Sequence, residues 1–134
     1  MSIVRYFYRY RRPVRVKRPK KPLNKLDYLS RKEEARSLVL ARLEHFNRFY
    51  NLIYKRVSVR QQRTRWGSCS RKGNLNFNYR LLDLPAEIAD YIIVHELCHL
   101  KEFNHSRNFW NLVAESLPDY AVRRARLRQK PISN

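Results

Sequence analysis

The sequence predicts an α+β domain: a long N-terminal helix, a small antiparallel three-stranded sheet, and helices that fill the C-terminal half. Three observations lead there. Apolar residues recur at three- and four-residue steps from Ala35 to Ile53. The period falls to two at Val57–Arg60 and again at Asn74–Tyr79. Beyond Pro85 the helical period returns and carries on to about Arg128. At 134 residues, 43% of them hydrophobic, the chain has material for one domain with one modest core.

Residues 1–29 read as a basic, aromatic arm, residues 30–130 as the domain proper, and residues 131–134 as a tail. In the arm, Tyr6, Phe7, Tyr8 and Tyr10 interleave with Arg5, Arg9, Arg11 and Arg12, and Pro13, Pro19 and Pro22 interrupt any regular element. Cations beside stacking faces suit single-stranded nucleic acid, which makes Arg5, Arg9, Arg11 and Arg12 candidate contacts. The other reading is a basic arm that only packs a few aromatic rings on the domain.

Ser30-Arg31-Lys32-Glu33 matches a capping box, so the first helix is expected from about Arg31 to Tyr54. Its stripe of Ala35, Leu38, Val39, Leu43, Phe46, Phe49 and Ile53 is expected in the core. His45 has no partner at metal spacing and reads as an ordinary histidine. Strands follow at Val57–Arg60, Arg65–Ser70 and Asn74–Tyr79, the last two joined as a hairpin through Arg71-Lys72-Gly73. A glycine inside a strand marks a bulge or a close backbone approach. Trp66 and Gly67 are therefore candidates for the place where an extended ligand lies along the sheet edge. A second helix starts near Pro85 and runs to His99. A third spans about Ser106–Leu117, with Phe109, Trp110, Val113 and Leu117 inward, and Pro118 ends it. A short basic helix covers about Asp119–Arg128.

The formal net charge is +19, and it is unevenly spread. Residues 1–26 contain no acid, and none occurs between Glu44 and Asp83. Residues 83–119 reverse the balance, with seven acids against Lys101 and Arg107. A basic frame of this size attracts polyanions, so DNA or RNA is an expected partner, with Arg123 and Arg124 as further candidate contacts. No apolar run reaches membrane-spanning length, and no signal-peptide stretch opens the chain. The expected location is cytoplasmic, with Cys69 and Cys98 as reduced, buried thiols.

The sharpest signal is His95-Glu96-Leu97-Cys98-His99, followed by His105: three of the four histidines lie within these positions. Residues four apart share a helix face, so His95 and His99 aim at one point. His105 is the natural third ligand, brought back by a turn at Phe103-Asn104. Three protein ligands and an open position describe catalytic zinc, so one Zn²⁺ per chain is expected. Glu96, about 100° round the helix, can touch a water at that open position and act as general base. Metal-activated water would then attack a carbonyl, with Tyr120 or an arginine near the sheet as candidate oxyanion donor. Cys98 lies about 60° off the histidine face and is a poor fourth ligand.

Five stretches together carry a resemblance. Arg65-Trp66-Gly67-Ser68-Cys69-Ser70, Gly73-Asn74-Leu75-Asn76-Phe77-Asn78, His95-Glu96-Leu97-Cys98-His99-Leu100, Asn104-His105-Ser106 with Phe109-Trp110, and Pro118-Asp119-Tyr120 occur in order. The chain from about Lys32 to Arg128 resembles the YgjP-like metallopeptidase domain, which is related to the SprT-like zinc proteases, Spartan among them. The resemblance implies a minimal zincin-like fold, His95, His99 and His105 as metal ligands, and Glu96 as the catalytic residue. The histidine spacing also equals that of metzincins, but Glu102 stands where those enzymes have glycine.

Three functions follow from these residues. The first is a zinc-dependent peptidase acting on a protein or peptide near nucleic acid, with Trp66, Gly67 and Tyr120 as candidate substrate contacts. The second is a metal-dependent hydrolase of nucleotides or another anionic small molecule. No glycine-rich phosphate loop accompanies it. The third is a non-catalytic nucleic-acid-binding module with structural zinc. Structural sites usually close with a fourth ligand, often cysteine, which weighs against it.

Overall fold

The computed structural model describes residues 24–129, so residues 1–23 of the arm, including Arg5, Arg9, Arg11 and Arg12, lie outside the described residues, as does the tail, while residues 25–29 belong to the first helix. The described elements are α1 (Lys25–Tyr50), β1 (Arg56–Arg60), β2 (Gly67–Cys69), β3 (Asn74–Asn78), a 3₁₀ turn at Tyr79–Asp83, α2 (Ala86–His99), α3 (Arg107–Ser116) and α4 (Tyr120–Arg128). The class is α+β, as the sequence predicts.

Helix α1 starts earlier and stops sooner than expected. Its cap is Asn24, whose side chain accepts the Asp27 amide at 2.8 Å, and Asp27 places a negative charge at the helix's positive end. Ser30 therefore lies inside the helix. At the other end Asn51 takes the left-handed conformation (φ 53°), which asparagine tolerates better than most residues. Its N–H closes on the Asn47 carbonyl at 2.7 Å, and the Asn47 side chain holds both backbone groups of Leu52 at 2.8 Å. That exit ends the apolar stripe: Ala35, Val39, Leu43 and Phe46 are buried, whereas Phe49 is 59% and Ile53 91% exposed.

The sheet is mixed, not antiparallel. Its order is β1-β3-β2, with β2 antiparallel to β3 but β1 parallel to it, Val57 opposite Leu75 and Val59 opposite Phe77. Alternation shows which face a strand buries and says nothing about the direction of its partner. The turn at Ser70–Gly73 fixes β2 and β3 as a hairpin: the Gly73 N–H donates to Ser70 O at 3.0 Å, with Gly73 at φ +88°. β1 then takes the other edge of β3, reached by a crossover that includes β2.

Buried Asn78 secures that crossover. Its amide nitrogen donates to Gln62 O at 2.8 Å and Arg65 O at 2.9 Å, its amide oxygen accepts the Arg80 N–H at 3.1 Å, and its backbone N–H donates to Trp66 O at 2.8 Å. Replacing it with alanine leaves two carbonyls and one amide to find other partners. Asn78→Ala should lower stability by about 1–3 kcal/mol, measured by urea unfolding.

Helix α2 runs through the centre, against α1, α3, α4, β2 and β3. Every residue from Tyr91 to His99 is buried. A helix enclosed on all sides is apolar around most of its circumference, and Ile88, Tyr91, Ile92, Ile93, Val94 and Leu97 meet that demand. Arg42 of α1 grips Asp90 of α2 through Nε and Nη2 at 2.8 and 3.0 Å. The Tyr50 hydroxyl donates to Leu112 O at 2.7 Å and lies 2.6 Å from Ser116 Oγ, which anchors α3 against the end of α1. The last turn of α2 is thus held from several directions. None of the described helices is long and apolar enough to cross a membrane.

Candidate metal centre

His95 and His99 occupy the last turn of α2, 2% and 0% exposed. The chain leaves the helix at Leu100, turns through residues 100–104, and returns His105 just before α3. The three Nε2 atoms converge: His95–His99 are 2.9 Å apart, and both pairs with His105 are 3.1 Å. They form a group that could hold a metal ion.

Hydrogen bonding cannot account for the triangle. Each Nε2 offers its neighbours either a proton or a lone pair, so two like ends must face each other. At His99 the choice is settled. Its Nδ1 lies 2.9 Å from the Glu102 carbonyl, which only accepts, so Nδ1 carries the proton and Nε2 presents the lone pair. A shared cation relieves the conflict, and zinc with bonds of about 2.0–2.1 Å wants nitrogens about 3.3 Å apart, close to the spacing observed.

The surroundings favour the neutral imidazoles that such a cation needs. Burial pushes His95 well below its ordinary pKa and His99 down to about 4. His105 is lowered first by burial and then by the charge of Arg124. Phe109 stacks on the His99 ring (centroids 4.3 Å apart, 14° between planes), and Trp110 lies nearly parallel to His105 at 5.9 Å. Tyr91, one turn before His95, puts its hydroxyl 3.4 Å from His95 Nδ1.

Glu96, the residue after His95 on α2, lies against Gly67 of β2. It is 0% exposed, and neither carboxylate oxygen has a hydrogen-bond partner among the described residues. Burial pushes its carboxyl well above the ordinary range. A buried polar group without a partner is costly, and a ligand entering the site would supply one. Gly67 makes room for it: a Cβ there would stand 3.0 Å from Glu96 Cγ and 3.1 Å from the Asn76 carbonyl oxygen. The close approach expected at Gly67 is therefore to Glu96. Gly67→Ala should cut turnover at least tenfold through displacement of that carboxyl, a loss of about 1.4 kcal/mol or more in barrier terms, while metal content measured on the same sample stays at the wild-type level.

Of the remaining sequence candidates, Tyr120 and Arg124 border the histidines through Trp110, whereas Trp66 and Arg123 are engaged elsewhere. Trp66 is 3% exposed and belongs to the core, so its ring is not at the sheet edge. Tyr120 stacks on Trp110 at 5.1 Å. Arg123 Nε contacts both Asp119 carboxylate oxygens at 3.0 and 3.1 Å, and its Nη1 donates to Glu87 O at 2.9 Å. Arg124 lies over Trp110, 4.8 Å from the ring centre. Cys69 and Cys98 are buried and free, their thiols pushed up to about 12 by burial. Sequence reasoning missed the Glu102 carbonyl, Tyr91 and the nearness of Arg124 to the histidines. Only Tyr91 left a signal, standing four residues before His95 on the same helix face.

The model of the YgjP-like metallopeptidase domain matches residues 8–130. The chain belongs to the YgjP-like metallopeptidase family. A solved relative agrees with that placement: the crystal structure of the metallopeptidase zymogen of Pyrococcus abyssi abylysin is 28% identical, with a TM-score of 0.64, covering 72% of this chain and 97% of that one. No curated protein matches the chain. As a YgjP-like protein with a minimal zincin-like α+β fold, it is a zinc metallopeptidase-like hydrolase.

Proposed function

We propose that this YgjP-like protein is a zinc-dependent peptidase in which His95, His99 and His105 hold one ion and Glu96 is the general base. The carrying observation is the convergence of the His95 and His99 side chains of α2 with that of His105, just before α3, while Glu96, the residue after His95, is a buried carboxyl with no hydrogen-bond partner among the described residues. Bound zinc supplies a Lewis acid that lowers the pKa of water and polarises a carbonyl. Glu96 takes the proton from the attacking water and passes it to the departing amine nitrogen. Burial, which raises its pKa, makes it a stronger base once ionised.

The sheet edge offers a place for the substrate. Across the hairpin the Asn78 N–H donates to Trp66 O and the Ser70 N–H to Asn74 O, so by alternation the backbone groups of Gly67 and Cys69 face away from β3. An extended peptide can add there as a further strand beside Glu96. The exposed Lys55, Arg56, Arg60, Arg63, Arg71 and Lys72 support a nucleic-acid surface that brings protein substrates near. Two free, buried thiols fit a reducing compartment such as the cytoplasm.

The deciding experiment incubates the zinc-loaded chain with a proteome-derived peptide library, and separately with a nucleotide panel. Peptide cleavage that stops on chelation supports the proposal. Nucleotide hydrolysis without peptide cleavage replaces it.

A further inference from the structure

Helix α4 carries four arginines, and the fold sorts them. Arg123 is tied to Asp119 and the Glu87 carbonyl, and Arg126 reaches the Glu87 carboxylate at 3.3 Å. Arg128 is exposed. Arg124 points elsewhere. Its guanidinium lies 4.8 Å from the centre of the Trp110 ring, and that ring lies 5.9 Å from both the His95 and the His105 rings. Tyr120, one turn earlier on α4, stacks on the same indole.

Arg124 is half-buried, and no ion pair among the described residues engages it. A permanent cation beside a cluster built to hold another cation is unfavourable unless an anion joins them. The flat indole face holds the guanidinium in place before anything binds. The planar fork suits a carboxylate, which it can grip with two hydrogen bonds.

We infer that Arg124 is a specificity residue that binds a carboxylate of the peptide substrate beside the metal centre. This rests on the peptidase reading above. A peptide has two sources of that group, its C-terminus and its acidic side chains. Arg124 belongs to the reaction site and not to a general basic surface, which distinguishes it from Arg123, its neighbour in sequence.

The test uses the full zinc-loaded chain and three peptide hydroxamates of equal length. One ends in a free carboxylate, one in a carboxamide, and one in a carboxamide with an internal glutamate. Affinities are measured by calorimetry for the wild type, Arg124→Gln and Arg124→Lys. The wild type should prefer one or both carboxylate-bearing probes over the neutral one by about tenfold to a hundredfold. Which of the two it prefers identifies the source. Arg124→Gln should erase that ratio, and Arg124→Lys, which keeps the charge but not the fork, should restore part of it. The inference is overturned if the wild type shows no preference, or if the preference survives in Arg124→Gln. If no hydroxamate binds the zinc-loaded protein, the metal-centre reading fails, and this inference fails with it.

Discussion

Glu96→Gln should leave metal content at the wild-type level and lower kcat by about two to four orders of magnitude, the range that a positioned general base supplies. Glutamine nearly matches glutamate in shape, so the slot between α2 and Gly67 still accommodates it. What it loses is the ability to take a proton. Because Glu96 lies outside the group of three converging nitrogens, its substitution should not change metal affinity. The measurement pairs kcat with metal analysis of the same preparation. A variant as active as wild type would remove Glu96 from the chemistry.

His99→Ala should act on the other half of the site. Its Nε2 is one corner of the triangle, its Nδ1 is fixed by the Glu102 carbonyl, and its ring stacks on Phe109. The substitution removes one of the three converging nitrogens and leaves a void in a fully buried place. Metal should no longer copurify, and turnover should fall to background. In the wild type, excess zinc should raise the unfolding temperature, since a ligand at 100 times its dissociation constant contributes about 2.7 kcal/mol. In His99→Ala that zinc-dependent shift should disappear. A variant that still gains stability from zinc would mean the ion binds elsewhere.

The centre of this molecule was readable in the sequence because helix geometry is local. Spacing alone brings His95 and His99 to one helix face and sets Glu96 about 100° round from it; in the structure the two imidazoles meet, and Glu96 lies against Gly67. Pairing direction is not local. The alternations at 57–60 and 74–79 identified strands, but the parallel match of β1 to β3 depends on the crossover that Asn78 secures. The start of α1 was misplaced because Asn24-x-x-Asp27 and Ser30-x-x-Glu33 are rival signals, and the first one caps the helix. Its end was misplaced because Ile53 continues the apolar period past a left-handed Asn51. Arg124 was indistinguishable from its neighbours in a run of basic residues. Only the rotation of α4 against α2 and Trp110 separates it from Arg123 and Arg126.

The clasp on His99 comes from the main chain of residue 102. A carbonyl is present whatever amino acid stands there, so the orientation of this imidazole is insulated from point substitution at that position. The half-exposed Glu102 side chain is then spare. Position 102 gives an engineer a dial beside the metal site: neutral, acidic or basic residues can be installed to adjust the local field while the clasp stays in place.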